Sequence, residues 1–345
     1  PNTRGPWNAE KMWAPRFDEQ PAHIVPPLLN IGAGPSGLTF YPGTGMSEAY
    51  NDTFFMCDFR GDAGRSLIHA LELAPSGASF EVVNRRDFAD VEFGMEPGIY
   101  FSDWVQGWDK PMKGRIYRIH EPNLADDATH AEAVQLLKEG MAQRSPEALS
   151  SLLGNADQRV RLEAQYALAD LGPAALAHFD AVAQHGEGPF ARLHGIWGQW
   201  QLLLQGDADA TTLLPLLKDS DAEIRLQVAR VLADGPADQV LAPLRDALND
   251  PNIRVRFHAA SSLGRLDVQD DGTAAALVSQ LRQNDNYDAY LRHALVVGLE
   301  GQATESYLAA LALDPSPAVR LGGLLTLRRL KSVECARYLN DSAPS

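Results

Sequence analysis

The feature that most constrains this chain is an arginine that returns at a nearly fixed interval. Arg161, Arg192, Arg225, Arg256, Arg292 and Arg320 are separated by 31, 33, 31, 36 and 28 residues. An apolar residue precedes each: Val160, Ala191, Ile224, Val255, Leu291 and Val319. Asp or Asn stands six residues before all but one (Asn155, Asp219, Asp250, Asn286, Asp314), with Gly186 the exception. Leu stands seven residues after all but one (Leu168, Leu232, Leu263, Leu299, Leu327), with Gln199 the exception. A period near 31 residues accommodates two short helices and is the signature of an α-solenoid.

Within each period the second helix carries the arginine and an apolar stripe at helical spacing, as in Val255, Ala259 and Leu263. Pro251 and Pro315 suit the first turn of such helices, where a missing N–H costs little. The first helices are short and apolar, for example around Val240–Leu244 and Thr212–Leu214. On these residues the chain resembles the HEAT family in its bacterial short-repeat form. The resemblance implies that the Asp/Asn and Arg columns form a ladder of charge-assisted hydrogen bonds between neighbouring repeats. It gives all six arginines a structural job, since a catalytic arginine has no need to recur in every repeat. About six repeats are expected over residues 129–340.

The 345 residues suffice for two or three domains, and 45% apolar side chains suffice for a sizeable core. Forty-five acidic against 30 basic side chains give a net charge of -15, which argues against nucleic acid and against an anionic membrane surface. No apolar run is long enough to span a bilayer. Cys57 and Cys335 form no CxxC or CxxCH, so no zinc ribbon and no covalent haem site is expected in this chain. No metal site is expected, and neither a Ser–His–Asp set nor an HxxxH cluster is legible. The opening at Pro1, without a charged leader, reads as a cut.

Residues 1–36 are dense in Pro, Trp and Asn and read as a loop-rich insertion ending in a short apolar strand, Leu28–Ile31. Gly32-Ala33-Gly34-Pro35-Ser36-Gly37 then spells GxGxxG. That motif holds a dinucleotide only where a helix starts at its end. Here Pro42, Gly43 and Gly45 follow too soon for a helix, so a loop leading into a strand is expected. From 37 to 120 the pattern is short strands: Leu38–Tyr41, Thr53–Asp58, Leu67–Leu73 and Phe80–Val83, then Val91–Phe93, Ile99–Trp104 and Arg115–Ile119. Residues 121–128 read as a short acidic linker.

Two strings carry a more specific resemblance. One runs from Gly34-Pro35-Ser36-Gly37-Leu38 through Tyr41-Pro42-Gly43-Thr44-Gly45 to Phe54–Gly61. The other is Ser102-Asp103-Trp104-Val105-Gln106-Gly107-Trp108 with Lys113-Gly114-Arg115-Ile116-Tyr117. Together they resemble planctomycete-type periplasmic dehydrogenase and haem-binding proteins. Those have a sorbosone/glucose dehydrogenase-like propeller, then HEAT repeats, then a cytochrome c domain. The resemblance implies the C-terminal part of a β-propeller over 37–120 followed by the solenoid, with the earlier blades and the cytochrome c domain missing. It implies a periplasmic or secreted sugar or alcohol dehydrogenase passing electrons to a cytochrome c. Pyrroloquinoline quinone would sit in the complete propeller and haem c on a domain or partner outside this chain. Another polypeptide would supply the missing blades against the open strand edges. Arg60, Asp103, Lys113 and Arg115 fall on loops that would face cofactor or substrate. The repeats alone are also similar to those of phycobilin lyases.

The second repeat departs from the pattern at Gly186 and Gln199 and gathers His194, Trp197 and Trp200. These three are candidates for a partner-binding patch, or for filling the junction with the propeller. The alternative to the dehydrogenase is therefore a non-catalytic scaffold that binds a protein through its solenoid.

Overall fold

The computed structural model describes residues 34–61, 65–74, 77–85, 88–105, 112–124, 127–266, 268–339 and 341, with the backbone alone in 73–85 and 88–89. The 1–33 stretch, including Leu28–Ile31 and the first residues of the glycine motif, lies outside the described residues, as do Gln106 to Trp108. The chain divides into two compact units, one ending at Ala167 and one beginning at Leu168.

The first unit opens with seven strands: β1 (Pro35–Phe40), β2 (Thr53–Asp58), β3 (Leu67–Ala74), β4 (Gly77–Arg85), β5 (Phe88–Phe93), β6 (Ile99–Asp103) and β7 (Arg115–Ile119). They form two antiparallel meanders, β1-β2-β3-β4 and β5-β6-β7. Alternation aims every second side chain inward; β6 buries Ile99, Phe101 and Asp103. Tyr41, Phe55, Cys57, Ile68, Val91, Phe93, Ile99 and Phe101 make one shared core. The Phe93 ring lies 5.5 Å from Tyr41 and 5.7 Å from Phe55. Burial pushes the Cys57 thiol up to about 12, with Asp90 adding to the shift.

The strands lie close to where the alternation places them, but among the described residues they make two small sheets and no closed propeller. Aromatic and β-branched alternation marks any half-buried antiparallel meander, so it does not distinguish a blade from a small sheet. The glycine motif leads into β1, not into a helix. The Gly34 N–H donates to the Asp58 carboxylate at 2.8 Å and its carbonyl accepts from Phe59 N–H at 2.7 Å. A Cβ on Gly37 would stand 2.7 Å from Asp90 Cα and 2.8 Å from Val91 N. These glycines therefore permit close backbone approach, not a phosphate cradle.

Helices α1 (Ala128–Glu139), α2 (Pro146–Leu152) and α3 (Gln158–Ala169) follow. The boundary expected at 121–128 thus falls inside the first unit.

The second unit contains α4 (Leu176–His185) with α5 (Gly188–Gln205), then a 3-10 turn, Leu214–Lys218, with α6 (Ala222–Val231). Next come α7 (Ala237–Ala247) with α8 (Ile253–Arg265), α9 (Asp271–Asn284) with α10 (Ala289–Gln302), and α11 (Glu305–Ala310) with α12 (Pro317–Arg329). The second helices neighbour one another in the order α5, α6, α8, α10, α12. The recurring leucines Leu232, Leu263, Leu299 and Leu327 are fully buried in one continuous core. Each such side chain contributes roughly 1.5–3 kcal/mol of burial. At the exceptional position, the Gln199 carbonyl oxygen accepts from the Thr212 hydroxyl at 2.8 Å.

Candidate partner-binding face

The arginine column is fastened inward. Arg225 donates from Nε and Nη2 to the two oxygens of Asp250 in the next repeat, at 2.7 and 3.0 Å. Its Nη1 reaches the carbonyls of Asp219 and Ser220 at 2.8 and 3.2 Å. Arg192 forks onto Asp219 through Nη1 and Nη2, and its Nε donates to the Ala183 carbonyl at 2.9 Å. Arg320 forks onto Asp341 at 2.8 and 2.9 Å. Arg161 and Arg256 donate to the carbonyls six and five residues back, Asn155 with Ala156, and Asp250 with Pro251. Arg292 makes a longer contact with the Asn286 side chain, at 3.5 Å. Burial alone would raise the Asp250 carboxyl, but the Arg225 fork and the Asn252 N–H outweigh it and hold it below the ordinary range.

A second polar column, four residues before the arginine, went unread in the sequence. Asp221, Asn252, Asp288 and Ser316 cap the N-termini of α6, α8, α10 and α12 through their side chains. Asp157 stands at the same position before α3 and accepts the Arg159 N–H at 2.9 Å. It does more. The Thr44 hydroxyl donates to its carboxylate at 2.5 Å and lies 3.0 Å from His130 Nδ1. His130 Nε2 donates to the Met95 carbonyl at 3.2 Å, and Arg159 Nη1 to the Gly94 carbonyl at 2.6 Å. Thr44, His130 and Asp157 are all buried. This network joins the loops after β1 and β5 to α1 and α3 within the first unit.

The residues expected to face a cofactor are met by neighbouring acids. Arg60 donates to Asp58 at 2.7 Å, and Asp58 is fully buried. Asp103 accepts the Val105 N–H at 2.8 Å, which makes it a turn residue. Arg115 lies 3.9 Å from Asp103 and 3.4 Å from the Tyr117 hydroxyl, and Lys113 is exposed. Asp58 and Asp103 thus stand against the guanidinium charges of Arg60 and Arg115.

His194, Trp197 and Trp200 do not form an open patch. His194 is buried, with the Trp197 ring edge-on at 5.1 Å. The indole N–H groups of Trp197 and Trp200 donate to Gln227 (3.2 Å) and Asp234 (2.9 Å) of the following repeat. The two tryptophans fill a repeat–repeat joint within the second unit, because an indole needs a partner for its N–H once half-buried.

Several second helices of the second unit carry exposed arginines. At about 100° per residue, the positions two before and two, five and nine after the arginine fall within about 60° of one another. They hold Glu223, Gln227, Arg230 and Asp234 in one repeat, and Arg254, His258, Ser261 and Arg265 in the next. Arg254 pairs with Glu223 at 2.8 Å, Arg265 with Asp234, and Arg329 with Glu300 at 2.6 Å, each across a repeat boundary. Arg254 and Arg265 keep 64% and 56% of their side chains in solvent. His258 is held below its ordinary range by burial first and then by the Arg230 and Arg254 charges. Phe190 on α5 is half exposed. A groove of about 720 Å³ runs between the 3-10 turn and α7, lined by Leu214, Leu217 and Pro243 together with Lys218, Asp246 and Asp250.

Residues 210–300 match the family model of HEAT repeats, and HEAT repeats make up this part of the chain. No curated protein matches it. Among solved structures, an engineered protein is similar at 17% identity, covering 55% of this chain and 97% of its own, with a TM-score of 0.35. The complex of CpcE and CpcF of phycocyanin lyase from Nostoc sp. PCC7120 is similar at 18% identity, covering 57% and 93%, with a TM-score of 0.27.

Proposed function

We propose that this chain is a protein-binding scaffold whose second unit holds a partner on the outer side of its second helices. The observation that carries this reading is the division of labour among its arginines. The recurring column points into carbonyls and the next repeat's carboxylates, while Arg230, Arg254 and Arg265 stand in solvent on one face. A row of packed helices with exposed cations and a half-exposed Phe190 at one end suits recognition of another chain. The dehydrogenase reading rests on resemblance, and the pairing of Arg60 with Asp58 and of Arg115 with Asp103 gives it no support. A photo-crosslinking residue placed at position 230, in an extract of the source cells, tests the proposal. It should capture one or a few defined proteins, while the same residue at position 218 captures none of them. Equal capture from both positions would count against it.

A further inference from the structure

We infer that the second-helix face takes an acidic segment of its partner, a stretch of chain carrying several carboxylates beside an aromatic or aliphatic residue. This rests on the scaffold reading and names the chemistry of the partner.

The first ground is charge. Helices α5, α6, α8, α10 and α12 hold ten arginines, Arg192, Arg225, Arg230, Arg254, Arg256, Arg265, Arg292, Arg320, Arg328 and Arg329, against two glutamates, Glu223 and Glu300. The chain as a whole carries -15. The cations are thus gathered on one layer of an acidic protein. Five of them belong to the recurring column. The other five are exposed. An acidic segment is repelled by the rest of the surface and attracted here, which favours encounter at this face.

The second ground is availability. Arg230 and Arg328 make no ion pair among the described residues. Arg254, Arg265 and Arg329 are themselves exposed to solvent and pair with half-buried Glu223, Asp234 and Glu300 of the neighbouring repeat; pairs with one such solvated member are worth only about 0–1 kcal/mol. An incoming carboxylate can share Arg254 or Arg329 with Glu223 or Glu300 at little cost, whereas Asp234 also holds the Trp200 indole N–H. His258 lies in the field of Arg230, Arg254 and Glu223, and as a neutral ring it offers a donor without adding repulsion.

The third ground is reach. Adjacent helices lie about 8–10 Å apart, so α6 to α12 spans roughly 25–30 Å. An extended segment of about eight residues covers that distance. Phe190 on α5, half exposed, provides an apolar contact at one end.

The test is selection from a random twelve-residue peptide display library on the full chain, on the Arg230→Glu/Arg328→Glu variant and on Lys218→Glu as a control. Arg230 and Arg328 hold no ion pair, so their reversal breaks none; matched melting curves confirm the fold, and Arg230→Gln/Arg328→Gln serves if the reversal unfolds. Enriched peptides should be rich in Asp and Glu. A synthesised winner, labelled with fluorescein, should bind the reversed variant at least about tenfold more weakly and Lys218→Glu unchanged, and should weaken about tenfold between 50 and 200 mM salt. Neutral or basic winners that still lose affinity on the reversed variant overturn the acidic partner and leave the scaffold reading standing. Winners indifferent to the reversal, or no enrichment at all, remove this face and the inference together.

Discussion

Arg225 grips Asp250 of the following repeat with two parallel hydrogen bonds, Nε and Nη2 to the two carboxylate oxygens at 2.7 and 3.0 Å. The fork joins repeats, whereas Arg256, in the same repeat as Asp250, reaches only its backbone carbonyl at 2.8 Å. Both side chains of the fork are nearly buried. Arg225→Ala leaves a buried carboxylate without its cation and should cost about 3 kcal/mol, lowering the melting temperature of the second unit by roughly 6–12 °C. Arg256→Ala removes bonds to carbonyls alone and should cost about 1 kcal/mol. Calorimetry on both variants checks the order; equal losses would contradict the cross-repeat fork.

Acid should act in two stages. His258 and His293 are both held below their ordinary value of 6.5, by burial first and then by neighbouring arginines. An unfolded chain therefore takes up protons before the folded one, so stability present above about pH 6.5 is lost as pH falls toward the lower folded values. Asp157, Asp219 and Asp250 are also shifted down, below 3.8, because there the charged form is the one favoured. Their contribution is present above that value and is lost as pH falls through the folded values. Melting curves from pH 7.5 to 3 should show a shallow loss below 6.5 and a steep one below 4. His258→Gln/His293→Gln should flatten the first stage and leave the second.

Thr44→Val removes a hydroxyl that serves two buried groups at once, Asp157 and His130. The change is nearly isosteric, so its cost of about 2 kcal/mol comes from the unmet polar atoms. Hydrogen exchange should accelerate together in β1, β5, α1 and α3 and stay unchanged in α8 and α10. Acceleration confined to the strands would show that the helices are not part of the first unit.

The parts of this fold that repeat at short range were legible in the chain. The arginine period placed the helix pairs, and alternation placed the strands. The cap column of Asp221, Asn252, Asp288 and Ser316 is equally periodic but less legible, because a single short polar residue is an unremarkable turn signal. The Thr44–His130–Asp157 network was not legible, since its members are 86 and 113 residues apart and follow no period. Trp197 and Trp200 drew notice as a patch because nothing local says that their N–H groups meet Gln227 and Asp234 one repeat later.

Hydrogen exchange of the full chain, alone and with the protein captured from position 230, tests the scaffold reading most directly. Protection should fall on residues 222–231 and 253–265, the helices that carry Arg230, Arg254 and Arg265. Protection at the strand ends around Arg60 and Asp103, with α6 and α8 unchanged, would contradict it.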